Sequence, residues 1–358
     1  TTTAAKTAKT RGLVADVGAA ARAALRAVSN ESYRHLAVPD AYVGWFAPAT
    51  LIGSLLQRPD VVLATLPPPT AALVGAALAD RFSAPLVLDY RDPWTARLDH
   101  AALPRWRAEA ERSMEAAVLR RAAGVAATTH GIAEDLQRRG AHNVVWIPNA
   151  CEPERFSDVT PRIFATPTLV YTGGIYGGRS LLPTLRSMAR LRASGRPTPR
   201  LCYLGTTGAE VAAEAALAGV SDLVDIDGAK PSHEALAATA GAIANVCIVA
   251  DVHARQIPAK LFEQITAGRP LVLLTPLPSD AADLLQGVSD AVILRHGDEA
   301  GLDNALARLA SATRRQPRAV AGAVPAHLTV TATMDALETL LRGAIGAKRI
   351  HATTQRQS

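Results

Sequence analysis

The sequence predicts an α/β protein built from two successive units, each with a parallel sheet covered by helices. Its 358 residues are long for one domain and comfortable for two. Short apolar, β-branched runs alternate with helical stretches rich in Ala, Leu and Arg almost throughout. This alternation breaks at residues 147–153, where prolines and polar residues accumulate, and then restarts. The break divides the chain into two α/β units.

The first half shows four apolar runs that read as strands buried on both faces. The predicted strands are 61–65, 85–89, 124–128 and 143–147, and the predicted helices are 70–81, 104–122 and 131–139. Parallel strands joined by helices should have right-handed crossovers. No opening strand with a glycine-rich loop is recognisable before about residue 40. We therefore expect that strand to lie upstream of this sequence, or the first domain to be abbreviated.

The second half shows the same alternation of predicted strands and helices. The predicted strands are 167–172, 200–204, 222–226, 244–249, 271–275 and 291–294. The predicted helices are 181–194, 209–219, 232–241, 259–267, 279–286 and 299–311, with a last helix at 333–344. We place an N-terminal domain at 1–152, a C-terminal domain at 153–330 and a tail at 331–358. Open α/β units bind ligands at the carboxyl ends of their strands, and two such domains form a cleft between them.

Composition narrows the class of protein. The chain is 49% hydrophobic and 20% charged, which is typical of a globular protein. It has no apolar run of about 18 residues and no signal-peptide pattern, so we expect a cytoplasmic protein without a membrane span. Cys151, Cys202 and Cys247 lack disulfide or zinc spacing and are predicted to be buried thiols of a reducing compartment.

The net charge of +6 comes mainly from arginines that are scattered rather than clustered. Nucleic-acid-binding proteins gather their cations on one stripe, often with aromatic residues between them. We therefore expect no nucleic-acid partner. Anionic small substrates or an anionic membrane face fit such a surface better. The helix over 105–121 carries Arg and Trp near one end, so it either rests on such a membrane or simply covers a sheet.

The most informative segment is Ile257–Pro270. Pro258 suits the first turn of a helix and Gly268 its left-handed end. Lys260 and Glu263 are three residues apart and share one face of that helix. The helix N-terminus and the Lys260 charge favour a diphosphate, and Glu263 could accept hydrogen bonds from ribose hydroxyls. The alternative is an ordinary exposed ion pair between Lys260 and Glu263, with no ligand.

This segment resembles the nucleotide-binding element of retaining GT-B glycosyltransferases of the family 4 type, in a branch with the pattern P-x-K-x-x-E. Three other stretches agree with that family in order and spacing. Leu86–Trp94, which contains R-D-P-W, resembles the acceptor-facing strand and loop. The I-P-N-A stretch at 147–150, with Phe156, resembles the interdomain hinge, and Leu169–Gly174 resembles the first strand and glycine-rich turn of the donor domain.

The resemblance implies two facing Rossmann-like domains and transfer of a sugar from a nucleotide-diphosphate donor to an acceptor hydroxyl with retention. It implies no cofactor and no metal ion. The acceptor would be a glycan, a glycolipid or a small natural product. The residues that it assigns to donor binding are Gly173, Gly174, Arg179, Gly205, Asp227, Gly228, Arg255, Pro258, Lys260 and Glu263.

On the acceptor side, the resemblance points to Asp92 and Arg91 as the catalytic pair. Asp92 could orient or deprotonate an acceptor hydroxyl, or it could merely cap the turn at Pro93 or pair with Arg91. Asp225 and Asp227 form an Asp-x-Asp pattern like that of metal-dependent transferases, but they end a strand of the second unit, so we expect no metal site there.

Two departures from the family pattern keep other functions open. The first of the usual two glutamates is replaced by Arg255, and a frequent acceptor-side histidine by Arg91. The alternatives are a sugar-nucleotide epimerase of the same fold and a non-catalytic partner subunit that binds nucleotide sugars.

Overall fold

The computed structural model describes residues 37–312 and 324–357. The expectation about an opening strand falls on residues outside this part of the chain. The predicted α/β class is confirmed, with two sheets whose resolved registers are all parallel. The chain divides into two compact units. Among the described residues, the first unit contains 37–125, 140–142 and 344–357, and the second contains 126–139, 143–312 and 324–343.

The first sheet has four strands in the order β1-β2-β3-β4. Its strands and the surrounding helices are, in chain order, α1 (Phe46–Ser54), β1 (Val62–Leu66), α2 (Pro69–Arg81), β2 (Leu86–Tyr90), α3 (Arg105–Arg121), β3 (Ala122–Ala127), α4 (His130–Arg138) and β4 (Val144–Trp146). All predicted elements of this half are confirmed. Helix α1 was not predicted, because its segment is apolar on every side and contains Pro48 and Gly53, which hides the helical period.

The second sheet has six strands in the order β10-β9-β8-β5-β6-β7. The elements are β5 (Thr168–Thr172), α5 (Leu182–Ala193), β6 (Arg200–Leu204), α6 (Gly208–Ala218), β7 (Val224–Ile226), α7 (Ser232–Gly241), β8 (Ala244–Ile248), α8 (Ala259–Thr266), β9 (Leu271–Thr275), α9 (Asp280–Leu284), β10 (Ala291–Arg295), α10 (Glu299–Ser311) and α11 (Val330–Gln357). The strand order reverses between β5 and β8. In a doubly wound sheet this switch point is where a ligand crevice opens.

The core of the second unit explains why its strands are continuously apolar. Every residue of β8 and β9 is buried, because helices cover both faces of the sheet. Tyr171 and Tyr203 are fully buried in the same cluster as leucines from α5 and α10. Burying one large apolar side chain contributes about 1.5–3 kcal/mol, so this cluster holds the carboxyl ends of β5 and β6 rigidly.

Local signals place the helix ends. Thr129 caps α4 by accepting a hydrogen bond from the Ile132 amide at 3.1 Å. Helix α8 begins after Pro258, and Gly268 beyond its end has the predicted left-handed backbone, with φ of +63°. The last helix is longer than predicted, since α11 continues to Gln357, where the sequence has no apolar period to mark it. No helix in the described ranges combines the length and the apolar character that a bilayer crossing requires.

Candidate active site

The predicted glycine turn lies immediately after β5, at the switch point of the second sheet. Gly173 has a φ of +93°, which disfavours any residue with a side chain, and its amide donates to the Leu204 carbonyl at 2.7 Å. A side chain at Gly205 would collide with the Gly173 carbonyl and the Tyr203 hydroxyl. The structure therefore brings Gly173, Gly174 and Gly205 together as one close-packed turn.

Two hydroxyls that the sequence analysis missed hold this turn in place. The Thr207 hydroxyl accepts a hydrogen bond from the Ile175 amide at 2.9 Å. The Tyr203 hydroxyl lies 2.7 Å from that of Thr207 and accepts from its amide at 3.0 Å. Because these bonds fix the chain just beyond Gly174, the turn keeps one conformation.

Lys260 reaches the glycine turn from the first turn of α8. Its Nζ donates to the Thr172 carbonyl at 2.8 Å and lies 3.5 Å from the centre of the Tyr171 ring. Burial lowers the pKa of Lys260 to about 8, with the Cys247 thiol opposing this change and the Arg179 charge adding to it. The start of α8 and the end of β5, where the glycine turn begins, therefore meet in the structure.

Arg179 supplies a second cation to the same place. Its Nε is buried and has no hydrogen-bond partner in the described ranges, and its guanidinium carbon lies 5.1 Å from the centre of the Tyr176 ring. Neither Arg179 nor Lys260 forms an ion pair with a carboxylate of the described chain. Two neighbouring cations without a carboxylate repel each other, so an anion bound between them would relieve that repulsion.

Glu263 lies one turn further along α8 and is held by a residue that the sequence analysis missed. Arg155 Nη1 is 2.6 Å from Glu263 Oε1, and Arg155 Nη2 donates to the Ser232 hydroxyl at 2.8 Å. The alternative of an ion pair between Lys260 and Glu263 is wrong, because each side chain has a different partner. Pro258, the N-cap residue of α8, provides no side-chain cap.

Asp227 and Gly228, which were also predicted to bind the donor, have contacts that do not involve the glycine turn. Asp227 forms an ion pair with Arg162, and Asp225 pairs with Arg200 at 2.8 Å. Gly228, with φ of +73°, faces open space. Both aspartates of the Asp-x-Asp pattern are thus engaged by arginines.

Arg255 is directed at α4 rather than at the glycine turn. Its Nη1 donates to the Gly131 carbonyl at 3.0 Å and lies 3.6 Å from a Glu134 oxygen. The Arg255 carbonyl accepts from the Thr129 hydroxyl at 2.8 Å. These contacts anchor the segment that leads into α8. Arg255 therefore joins this segment to α4, a role that its position in the motif did not suggest.

The predicted acceptor-side residues lie in the first unit. Asp92 lines a cavity of about 460 Å³ at the carboxyl ends of β1 and β2, together with Tyr42, Trp94 and Arg97. Arg91 forms an ion pair with Asp89 at 3.2 Å. The cavity combines a carboxylate, a cation and aromatic side chains, a set that can bind a hydroxylated ring.

A buried charge network fixes the loop that carries Asp92. The Glu111 carboxylate is fully buried and accepts from Arg97 Nη1 and Arg107 Nε, each at 2.9 Å. One turn later, the buried Glu115 accepts a short hydrogen bond from the Thr95 hydroxyl. Pairing and hydrogen bonding of this kind offset much of the cost of burying these charges. The sequence did not reveal the network, because charged residues on a helix usually face water.

A second cavity, of about 930 Å³, lies at the opposite edge of the six-stranded sheet. Pro167, Ile243 and Pro270 line it, and they directly precede β5, β8 and β9. None of the predicted site residues lines this cavity. The candidate site lies at the carboxyl ends of the strands, where Lys260 and Arg179 have no carboxylate partner among the described residues.

Comparison with known proteins identifies a domain family and a fold that this chain resembles. Residues 3–150 match the glycosyl transferase 4-like domain family. No functionally curated protein has a sequence that matches the chain. This domain match indicates that the chain is a glycosyltransferase.

Solved structures share the fold at low sequence identity. HepE from Anabaena, in complex with UDP and glucose, has a TM-score of 0.60 and 16% identity over 83% of this chain and 82% of its own. The lipopolysaccharide outer core galactosyltransferase WaaB has a TM-score of 0.56 and 16% identity over 86% of this chain and 80% of its own. Trehalose 6-phosphate synthase from Burkholderia multivorans has a TM-score of 0.63 and 14% identity over 87% of this chain and 76% of its own. The chain has the GT-B fold.

Proposed function

We propose that the chain transfers a sugar from a nucleotide-diphosphate donor to an acceptor hydroxyl with retention of configuration, as a family 4 type enzyme that needs no metal ion. The observation that carries this proposal is the pair of cations at the glycine turn. Lys260 and Arg179 lie at the switch point of a doubly wound sheet and have no carboxylate partner in the described ranges. A diphosphate carries the charge that such a place attracts.

The donor would bind in the second unit, with its diphosphate on the glycine turn. Gly173 leaves open space at the turn, which allows backbone to approach the phosphate oxygens closely. The free amides at the start of α8 add positive partial charge. Glu263, oriented by Arg155, would accept hydrogen bonds from the ribose hydroxyls. HepE, a protein of the same fold, has been solved in complex with UDP and glucose.

Catalysis would rest on electrostatic stabilisation and positioning. As the bond from sugar to diphosphate breaks, negative charge develops on the departing phosphate, and Lys260 and Arg179 stabilise it. Asp92, in the cavity of the first unit, would orient the acceptor hydroxyl or take its proton. Retention requires the acceptor to attack from the face that the diphosphate leaves.

The acceptor would be a glycan, a glycolipid or a small natural product, and the protein would work in the cytoplasm or at the inner membrane face. The start of α3 suits contact with an anionic membrane, because Trp106 is 54% exposed and the Arg105 side chain 92% exposed. Arg107 takes no part in that surface, since it is buried against Glu111.

A binding screen tests the proposal directly. We expect one of the UDP, GDP, ADP or dTDP sugars to raise the melting temperature, since a ligand that binds only the folded state stabilises it. Lys260→Ala and Glu263→Ala should each weaken that binding in calorimetry while the circular dichroism spectrum stays unchanged. Undiminished affinity in both variants would remove these residues from the site.

Product analysis separates transfer from the two alternatives. An epimerase would convert the donor sugar with no acceptor present. A partner subunit would bind the donor but turn over none of a panel of acceptors. Formation of a glycosylated acceptor whose anomeric configuration matches the donor, in buffer with EDTA, is the result that transfer predicts.

A further inference from the structure

Tyr171 presents the face of its ring to the Lys260 ammonium. It is the next-to-last residue of β5, and its side chain is fully buried. Lys260 Nζ lies 3.5 Å from the centre of the ring and donates a hydrogen bond to the Thr172 carbonyl at 2.8 Å. We propose that Tyr171 is a positioning residue that fixes the Lys260 ammonium at the glycine turn through the face of its ring. This inference rests on the proposed role of Lys260 in donor binding.

The ring face is the part of Tyr171 that matters. Its hydroxyl makes a long contact, donating to the Gly174 carbonyl at 3.4 Å. Its ring is backed by that of Tyr203, with centres 6.0 Å apart and planes inclined by 15°. A ring packed in this way cannot turn aside, so it presents a fixed negative face to the cation.

An aromatic face suits this place better than a carboxylate would. Lysine has a long flexible side chain, and Arg179 repels its charge, so Lys260 needs an attractive partner to stay at the turn. An Asp or Glu would hold the ammonium but would also repel the phosphates and neutralise the charge that binds them. The ring attracts the cation and leaves its full charge for the ligand.

The groups that face the ammonium are few in the described ranges. The Tyr171 ring and the Thr172 carbonyl come from β5, the Cys247 thiol from β8 and the Arg179 guanidinium from the loop after the glycine turn. The ring and the carbonyl are in direct contact with it, and the Cys247 thiol also favours its charged form. Replacing the ring therefore removes one of the attractive contacts and leaves the repulsion from Arg179.

Two substitutions separate the ring from the hydroxyl. Tyr171→Phe keeps the ring and should leave donor affinity within about twofold of wild type. Tyr171→Leu keeps an apolar side chain but removes the aromatic face, and should weaken binding about two- to thirtyfold, the range that a cation–π contact supports. Calorimetry with UDP-glucose, or with GDP-, ADP- or dTDP-glucose if one of these raises the melting temperature, measures both. Circular dichroism checks that the Leu variant is folded.

The pH profile of binding identifies how Tyr171 acts. The diphosphate stays fully ionised above neutral pH, so wild-type affinity should fall as the Lys260 ammonium loses its proton near pH 8. Removing the ring removes attraction for the charged form of Lys260. The pH at which donor affinity has fallen by half should therefore be lower in Tyr171→Leu than in wild type, by about 0.5 to 1.5 pH units. In Tyr171→Phe it should stay in place. An equal loss of affinity at every pH would show a merely structural role and overturn the inference.

A ligand-free measurement keeps the inference separate from the proposed function. The Lys260 side-chain NMR signal, assigned by its disappearance in Lys260→Met, gives the pKa of the ammonium in wild type and both Tyr171 variants. A lower pKa in Tyr171→Leu alone supports the inference whether or not a nucleotide sugar binds. An unchanged or raised pKa in that variant overturns it, even if the binding screen confirms the donor site.

Discussion

Replacing Lys260 with Met should stabilise the ligand-free protein while abolishing its affinity for a nucleotide diphosphate. The substitution keeps the length of the side chain and removes the ammonium. Lys260 carries its charge in a buried place beside Arg179, and burial lowers its pKa from the ordinary 10.5 to about 8. A charge that the folded state disfavours lowers the free energy of unfolding, so removing it should raise that free energy.

The size of the effect follows from the pKa of Lys260. Each unit by which folding lowers a pKa corresponds to about 1.36 kcal/mol, so the charged form costs at most about 3 kcal/mol at neutral pH. The side chain keeps some access to solvent, which places the expected gain at about 1–3 kcal/mol. For a folding unit of about 200 residues, this corresponds to a melting temperature roughly 3–10 °C higher.

The assay is thermal unfolding of wild type and variant in the absence of ligand, between pH 7 and pH 10.5. Between pH 8 and 10.5 the unfolded chain still holds the lysine proton that the folded chain has lost. Wild-type stability should therefore rise with pH in this window, and the advantage of Lys260→Met should shrink. Lys230→Met is the matched control, because Lys230 is exposed beside Glu234 and its replacement should leave the melting temperature unchanged.

A Lys260→Met variant that melts at or below the wild-type temperature at pH 7 would refute this reasoning. It would mean that the contacts with the Tyr171 ring and the Thr172 carbonyl outweigh the burial of the charge. A gain that does not shrink with pH would point to better apolar packing instead of the removed charge.

Three further substitutions test the rest of the site. Arg155→Ala should reduce the preference for a ribonucleotide sugar over its 2′-deoxy form, because Glu263 loses the guanidinium that orients it; an unchanged preference in calorimetry would exclude that role. Asp92→Asn should lower kcat about a hundredfold or more at unchanged donor affinity. Gly173→Ala should weaken donor binding and cost about 1–2 kcal/mol of stability, whereas Gly140→Ala, also at positive φ and facing open space, should cost stability alone.

The sheets could be predicted from sequence because their strands are continuous apolar runs with helices between them. Pro69 is the first residue of α2, and Gly268 marks the end of α8, so local chemistry set these boundaries. Helix α1 escaped prediction because it lacks an apolar period. The strand order of the second sheet, with its switch point beside β5, depends on pairing between distant segments and could not be derived from periodicity.

The positions of candidate site residues were predictable where a residue follows a strand or begins a helix, as Gly173 and Lys260 do. It was not predictable where one side chain acts through another that is distant in sequence. Arg155 lies 108 residues from Glu263, and Tyr171 lies 89 residues from Lys260, so no local pattern joins them. The Asp227 side chain is a further example, because its partner Arg162 lies 65 residues away and the loop around Asp227 gives no sign of their ion pair.

The glycine turn also stands out on physical grounds that do not depend on any family. Gly173 adopts a backbone that other residues avoid, Arg179 buries a nitrogen without a partner in the described chain, and Lys260 buries an ammonium beside that arginine. Each feature costs stability, and none is needed to close the core. Independent costs gathered at one place are typical of a binding site, where a ligand relieves them. A diphosphate would satisfy the Arg179 nitrogen and offset both charges at once. Relief of these unfavourable features would therefore contribute to the free energy of donor binding.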